Sequence, residues 1–287
     1  MDRCCCRLRF HTARHAPDDR NPTSATLTEA DRKHIAGSIL NACDELDGIK
    51  DGVMNDPRDC DFDINKLDLS AAKLAVVKSI YDGPSSPDGK ILVGYPFGGE
   101  DLQEGWGNWL ARGPNNFGVP NAAFGFGTGI MKYFIFNDPD WSYVNYDFKD
   151  YAEKTERLAA ILNANNPDLS EFRKAGGKLL LYHGWSDAAL SALGTIDYVE
   201  SVYRLDASAK NDVRLFMMPG VLHCAGGPGP QQADFLSALE QWEQNDKIPE
   251  VIAARFPEGG SRPLCAYPKK AVYLGGNDRD PGSFERR

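Results

Sequence analysis

The sequence lacks two features that would point to a membrane or a nucleic acid. It has no run of about 18 apolar residues, so no segment is long enough to span a bilayer. It also lacks an excess of positive charge, because 32 Lys and Arg residues stand against 41 Asp and Glu residues, for a formal net charge of −9. Such a chain gains little affinity by neutralising phosphates. We therefore predict no nucleic acid and no membrane among its partners.

The first 24 residues differ in composition from the rest of the chain. Residues 1–10 read MDRCCCRLRF and contain no apolar core of about 7–15 residues, which a secretory signal requires. The adjacent cysteines, with His11 and His15 nearby, suggest zinc, but three consecutive cysteines cannot all face one ion and zinc sites usually space their ligands as CxxC. We predict that residues 1–24 form an atypical, disordered tail.

Residues 25–175 are predicted to form helices around a long irregular segment. Thr28 is placed to cap a helix that runs to about Cys43, and Ser70 to cap a second helix. Residues 82–150 are rich in Gly, Pro, Asn and aromatic residues and show no strong period. A segment of that length and irregularity is typically a functional lid. A further helix is expected over 155–163.

Residues 176–287 show a different pattern, in which strands and helices alternate. The apolar runs KLLLYH (178–183) and VRLFMM (213–218) are typical of strands buried on both faces. Amphipathic helices are predicted after each of them, over 195–205 and 231–245. This order predicts an α/β fold with a parallel sheet covered by helices.

An acidic loop, NACDELDGIKDGVMNDPRDC, covers residues 41–60. Asp44, Asp47 and Asp51 supply carboxylates, and glycines that follow two of them let the chain turn the carbonyl groups of Ile49 and Val53 inward. Such oxygens suit calcium, which takes 6–8 oxygen ligands in a flexible shell. The spacing is not that of an EF-hand. The alternative interpretation is an exposed acidic turn.

Two cysteines enclose this loop and favour the calcium interpretation. A disulfide between Cys43 and Cys60 would close a loop of about 17 residues and stabilise the fold by about 3 kcal/mol. It would also hold the two ends of the ion-binding loop together. The whole chain has seven cysteines, so at least one is unpaired in a monomer.

An aspartate and a histidine follow the two predicted strands. Asp187 comes after the first strand, in HGWSDAAL, and His223 after the second, in MPGVLHCAGG. In parallel sheets, reactive groups gather beyond the carboxyl ends of the strands. The order matches the acid and base of an α/β-hydrolase triad, in which the acid orients the imidazole and the imidazole takes the proton of the nucleophile. The alternatives are a capping aspartate and a surface histidine.

The nucleophile of such a triad is missing from the sequence, because no G-x-S-x-G elbow occurs. The nearest segment is GWSDA, residues 184–188. With Ser186 as nucleophile, the acid would have to come from a later strand end. Asp197 lies within a predicted helix and Asp212 before a predicted strand, so neither fits. We therefore expect that Ser186 is not the nucleophile.

Several long segments, in order, resemble the tannase and feruloyl esterase family of secreted α/β-hydrolases, and they extend from about Leu27 to the end of the chain. The segments are CDELDGIKDGVMNDPRDC, GGKLLLYHGWSDAALSALGTIDYVESV, RLFMMPGVLHCAGGPGP and RPLCAYP. The resemblance implies the C-terminal part of an α/β-hydrolase parallel sheet, with a large lid inserted between strands. The implied domains are a helix and lid domain with a calcium loop (25–175) and the C-terminal part of the hydrolase domain (176–287).

The resemblance also implies roles for particular residues. It places a structural calcium ion on the three carboxylates and two carbonyl groups of the acidic loop, beside a Cys43–Cys60 disulfide. It assigns the triad acid to Asp187 and the base to His223. It pairs Cys224 with a cysteine next to the serine, and Cys265 with a cysteine near the C-terminus.

The chain departs from the family pattern where the serine elbow, its adjacent cysteine and the oxyanion-hole amides are expected. The partners of Cys224 and Cys265 and a secretion signal are absent from the sequence as well. We therefore expect a family member truncated at its N-terminus. Family members are secreted, but the sequence assigns no compartment to this product.

Two functional hypotheses follow. The first is a carboxylic ester hydrolase that acts on aromatic acid esters through a Ser-Asp-His triad whose serine lies outside this chain. The second is an inactive, calcium-stabilised fragment or pseudoenzyme that associates with another polypeptide through an exposed sheet edge. Aromatic residues of the lid segment could line an aromatic substrate pocket or form the core of the lid, which we favour. They are Trp106, Trp109, Phe117, Phe124, Phe126 and Phe134.

Overall fold

The structure is a computed structural model that describes residues 25–86, 89–111, 120–143, 146 and 148–287. The predicted tail at residues 1–24 lies outside the described residues.

Helices α1 (Glu29–Cys43) and α2 (Ala71–Asp82) begin where their capping residues predict. The Thr28 hydroxyl accepts from the N–H of Asp31, whose carboxylate in turn accepts from the N–H of Thr28 at 2.7 Å. This capping box satisfies two backbone donors of the first turn. The apolar faces of both helices, including Ile35 and Val77, are buried in one cluster with Trp106.

The segment 82–150 contains more regular structure than its sequence predicts. Two short strands, β1 (Ser85–Ser86) and β2 (Gly89–Lys90), pair antiparallel. Helix α3 (Ala122–Ile130) follows and continues as a π-helical turn through Ile135. Every second residue from 125 to 129 in α3 is a glycine. Glycine has a low helix propensity, so the sequence does not predict this helix. A buried asparagine, Asn121, caps α3 by accepting from the N–H of Phe124 at 2.8 Å.

Helix α4 (Tyr151–Leu162) begins four residues before the predicted Thr155, and the short helix α5 (Ser170–Lys174) leads into the sheet. Strands β3 (Leu179–Gly184) and β4 (Val213–Met218) pair in parallel, with Leu179 opposite Val213. Helix α6 (Ala192–Leu205) connects them. The predicted strand–helix–strand unit is therefore confirmed.

Burial on both faces is confirmed for β4 but is wrong for β3. Five of the six residues of β4 are buried, whereas most of β3 is half-buried and Tyr182 is 55% exposed. Among the described residues β3 pairs with β4 alone. Its outer face is covered in part by Phe235, whose ring stacks on Tyr182 with centroids 4.2 Å apart.

The predicted helix over 231–245 is shorter than expected. Strand β5 (Gln232–Ala233) comes first, and helix α7 (Phe235–Asn245) begins after Asp234, which caps it. Strand β5 joins β6 (Val251–Arg255) and β7 (Ser261–Cys265) in an antiparallel sheet.

The residues after β7 connect the antiparallel sheet to the parallel pair of β3 and β4. The residue after β7, Ala266, forms a bridge to Phe216 of β4, and the N–H of Tyr267 donates to the carbonyl of Leu215 at 2.8 Å. Strands β8 (Ala271–Tyr273) and β9 (Phe284–Arg286) form a final antiparallel pair. Within the described ranges, no helix combines the length and apolarity that crossing a bilayer requires.

Candidate active site

Two loops at the carboxyl ends of β3 and β4 bring Asp187 and His223 together. Backbone hydrogen bonds tie the loops to each other, since the N–H of Ser186 donates to the carbonyl of Val221 at 3.0 Å. The approach needs a glycine at position 184, where a Cβ would lie 2.2 Å from that same carbonyl oxygen. The Nδ1 atom of His223 then lies 2.9 Å from the Oδ2 atom of Asp187. The structure thus places the predicted acid and base within hydrogen-bond distance.

The Asp187 carboxylate is buried, and both of its oxygen atoms have polar contacts. Its Oδ1 atom accepts from the N–H groups of Ala189 and Leu190, at 2.8 and 2.9 Å. Its Oδ2 atom faces the imidazoles of His223 and His183. Burial alone would raise the pKa of Asp187, but the hydrogen bonds from the two histidines outweigh it and hold the pKa to about 2. Asp187 is therefore ionised throughout the physiological range.

His183 was missed by the sequence analysis, which treated it as a residue of the strand. Its Nε2 atom lies 3.2 Å from Oδ2 of Asp187. The signal in the sequence is the spacing of four residues between a strand histidine and the acid, within HGWSD. A spacing of four residues brings side chains together in a helix, but this segment runs from a strand into a turn, so the sequence pattern does not predict that the two side chains meet.

An aromatic side chain of the segment 82–150 contacts the candidate base. The ring of Trp109 meets the imidazole of His223 edge-on, with centroids 5.3 Å apart, and Phe126 stacks on Trp109 at 6.1 Å. Trp106, in contrast, is buried in the core and Phe134 is 58% exposed. The aromatic set predicted from sequence therefore divides between the core, the surface and the neighbourhood of His223. Phe117 lies outside the described residues.

A cavity of about 220 Å³ is lined in part by Ser186, the residue before Asp187, but neither Asp187 nor His223 lines it. Gly98, Gly99 and Trp185 contribute to its lining. Glu100 also lines it, and its Oε1 atom accepts from the Tyr81 hydroxyl at 2.8 Å and from the N–H of Gly98. Burial raises the pKa of Glu100. No local sequence pattern predicts this buried acid.

The predicted disulfide is present at the acidic loop, where Cys43 and Cys60 are bonded with their Cα atoms 5.4 Å apart. Inside the loop, two hydrogen bonds cross between residues eight positions apart. Asp44 accepts from the N–H of Gly52, at 2.9 Å, and Asp47 accepts from the N–H of Asn55, also at 2.9 Å. The loop is therefore curled by its own carboxylates.

The predicted metal ligands occupy this curled loop without converging on one point. Asp51 accepts from the N–H of Val53 and forms an ion pair with Arg262, while Asp47 also accepts from the N–H of Ile49. Burial raises the pKa of Asp47, and the charge of Asp51 adds to that effect. In the part of the chain that the structure describes, no three His, Cys, Asp or Glu side chains are grouped closely enough to hold a metal ion.

The donor chemistry of the loop nevertheless suits a hard cation. Each carboxylate oxygen that accepts one hydrogen bond keeps a second lone pair. No described residue donates a hydrogen bond to the carbonyl oxygen of Ile49 or Val53. Carboxylates and carbonyl groups are the ligands that calcium prefers.

The two remaining cysteines of the described residues are unbridged. Cys224 is exposed, and Cys265 is buried.

Comparison with known proteins places the chain in a family. A family model described as tannase and feruloyl esterase matches residues 6–286, a range that includes most of the predicted tail. The mono(2-hydroxyethyl) terephthalate hydrolase of Piscinibacter sakaiensis is 30% identical over 306 residues, which cover 88% of this chain and 51% of that protein. A probable feruloyl esterase of Arthroderma benhamiae is 31% identical, with 91% and 52% of the two chains covered.

Solved structures show the same fold. Feruloyl esterase B from Aspergillus oryzae superposes with a TM-score of 0.84 at 22% identity, covering 99% of this chain and 61% of that chain. The tannin acyl hydrolase from Aspergillus niger gives a TM-score of 0.74 at 20% identity, covering 99% and 58%. The chain spans about half the length of the curated relatives it matches. It belongs to the tannase and feruloyl esterase family and has an α/β-hydrolase-like fold.

Proposed function

We propose that this chain carries the acid and the base of a serine carboxylic ester hydrolase, with Asp187 and His223 in those roles. The observation that supports the proposal is the 2.9 Å hydrogen bond between a buried, ionised carboxylate and Nδ1 of a half-exposed imidazole. In such a pair the carboxylate holds the proton on Nδ1, so Nε2 is the basic nitrogen that takes the proton of a serine hydroxyl. Asp187 then stabilises the imidazolium that forms.

The attacking serine is proposed to lie outside this sequence, since no G-x-S-x-G elbow occurs in it. Ser186 is the alternative within the chain. It is buried, and its hydroxyl lies where a Cβ on Gly98 would approach within 2.8 Å. Ser186 directly precedes Asp187 in the same turn. Because Asp187 contacts Nδ1 of His223, the Ser186 hydroxyl is poorly placed to reach Nε2 on the other side of that ring.

The proposed substrates are small aromatic acid esters. The supporting contacts are those of Trp109 with His223 and of Phe126 with Trp109, which give a flat aromatic acyl group a surface to pack on. The names of the related feruloyl esterase and terephthalate hydrolase also refer to aromatic acids.

Assays with methyl ferulate, methyl gallate and p-nitrophenyl acetate test this function. The 287-residue chain by itself is expected to hydrolyse them at close to the background rate, because loss of the nucleophile leaves a triad only a small residual activity. A serine-reactive fluorophosphonate should likewise fail to label it. Hydrolysis or labelling that disappears in Ser186→Ala would assign the nucleophile to Ser186. Turnover that survives both Asp187→Asn and His223→Ala would show that the proposed site is wrong.

The rival proposal is an inactive fragment that associates through the edge of β3. The supporting observation is that β3 pairs with β4 alone within the described ranges and exposes Tyr182. An unpaired strand edge is a template for another strand. Size-exclusion chromatography distinguishes the two proposals, because an isolated monomer argues against an edge that needs a partner.

A structural calcium ion is proposed for the acidic loop. Asp44, Asp47 and Asp51, with the carbonyl groups of Ile49 and Val53, would hold it. The support is the donor chemistry of the loop and the disulfide that closes it. An ion there would neutralise carboxylates that repel one another.

An oxidising compartment is proposed for the protein. The supporting observation is the Cys43–Cys60 disulfide, because such bonds persist mainly in secreted and extracellular proteins.

A further inference from the structure

A second imidazole contacts the candidate acid from inside the fold. His183, on β3, has a side chain only 11% exposed. Its Nε2 atom lies 3.2 Å from Oδ2 of Asp187 and 3.2 Å from the carbonyl oxygen of Leu190. Its Nδ1 atom lies 2.7 Å from the hydroxyl of Thr195, in the first turn of α6. The ring therefore joins the helix that follows β3 to the carboxylate.

One tautomer of His183 fits all of these contacts. Both neighbours of Nε2 are oxygen atoms that accept, so Nε2 carries a proton. The Thr195 hydroxyl must donate somewhere, and His183 Nδ1 is its hydrogen-bond partner among the described residues. One neutral imidazole, protonated at Nε2 and accepting at Nδ1, satisfies all three neighbours. An imidazolium would turn a second N–H toward the hydroxyl and leave the hydroxyl proton without an acceptor among the described residues.

We propose that His183, held by Thr195, is a positioning residue that fixes the Asp187 carboxylate toward His223. It does so as a neutral donor. A neutral donor orients the carboxylate and stabilises its ionised form, while the full negative charge stays available to the imidazolium that develops on His223. A charged His183 would neutralise Asp187 in advance and weaken that effect.

The arrangement explains why Asp187 keeps one orientation in a buried turn. Two backbone N–H groups hold Oδ1, and His183 holds Oδ2 from the side of the core. His223 then approaches Oδ2 from the more exposed side, with a side chain 33% exposed. Only one of the four donors, His223, belongs to the second loop, so the acid is already oriented before the base reaches it.

Nitrogen-15 NMR of the imidazoles in the full chain tests this inference near neutral pH. His183 is expected to show a protonated Nε2 and an accepting Nδ1. Either a protonated Nδ1 or a doubly protonated ring at His183 would overturn the proposal. The inference rests on the proposed acid role of Asp187, but this readout is independent of ester turnover.

Carbon-13 titration of the Asp187 carboxyl in paired variants supplies the second readout. His183→Phe keeps a ring but removes the donor, and is expected to raise the pKa of Asp187 by about one pKa unit or more, which is what a hydrogen bond to a charged group is worth. His183→Gln, which keeps an N–H near the Nε2 position, should restore a value close to that of the wild type.

Substitutions at Thr195 keep the test decisive if the ring cannot be replaced without unfolding. Thr195→Val preserves the shape of the side chain and removes the hydroxyl, and should raise the pKa of Asp187 by a smaller amount. Thr195→Ser should leave it unchanged. An Asp187 pKa that is unaffected by both His183→Phe and Thr195→Val would refute the positioning role, even if ester hydrolysis proved to depend on Asp187. Failed ester assays with the expected NMR results would refute the proposed function instead.

Discussion

The Asp187→Asn variant is expected to be about 2 kcal/mol less stable than the wild type at neutral pH. In acid the two proteins are expected to be equally stable. Burial alone would raise the pKa of Asp187, but hydrogen bonds from His183 and His223 hold it at about 2, below the ordinary value of 3.8. A carboxyl group with a lowered pKa in the folded state stabilises the fold above the unfolded-state pKa. That contribution disappears as the pH falls from about 4 to about 2.

Urea unfolding of the wild type and of Asp187→Asn at a series of pH values measures how the difference in stability depends on pH. Asp206→Asn is a matched control, because the pKa of Asp206 is also about 2 but its carboxyl is exposed and its interactions are screened by solvent. The control should show a smaller change over the same pH range. A constant stability difference between wild type and Asp187→Asn from neutral pH down to acid would contradict the ionised, hydrogen-bonded acid described here.

Millimolar calcium is expected to raise the melting temperature by about 5 °C or more, and a chelator to reverse the shift. A ligand present at about 100 times its dissociation constant stabilises the folded state by about 2.7 kcal/mol. Each kcal/mol moves the melting temperature of a domain of this size by about 2–4 °C. Magnesium should have a smaller effect, since it prefers a strict octahedral shell and gives up its waters reluctantly.

Two aspartate variants distinguish calcium binding by the acidic loop from a general effect of removing one negative charge. Asp44→Asn removes a buried carboxylate of the loop and should abolish the response to calcium. Asp61→Asn removes the same charge from an exposed position just after Cys60 and should leave the response intact. Equal melting temperatures in calcium and in chelator would rule out the proposed ion.

Several elements could be predicted from the sequence because local chemistry determines them. The caps at Thr28 and Ser70 mark the starts of α1 and α2, and the apolar run of β4 gives a buried strand with its exact bounds. The order of strand, Asp187, strand and His223 was sufficient to predict that the two side chains meet. In these cases the residues of one short segment are sufficient to predict the structure.

Other elements depend on contacts between distant segments and were missed. Helix α3 contains alternate glycines, and strand β7 contains Pro263, so propensity argued against both. The burial of β3 was overestimated, because an apolar run does not show how many strands flank it. The contact of Trp109 with His223 joins residues more than a hundred positions apart, and no local pattern reports it.

The tautomer of His223 tests the central claim most directly, and nitrogen-15 NMR of the imidazole in wild type and in Asp187→Asn measures it. The wild type is expected to carry its proton on Nδ1, toward Asp187, with Nε2 as the basic nitrogen. In the variant, the asparagine amide can donate to Nδ1, which moves the proton to Nε2 and removes the base. A wild-type His223 already protonated at Nε2, or a tautomer that does not respond to Asp187→Asn, would contradict the assignment of these residues as acid and base.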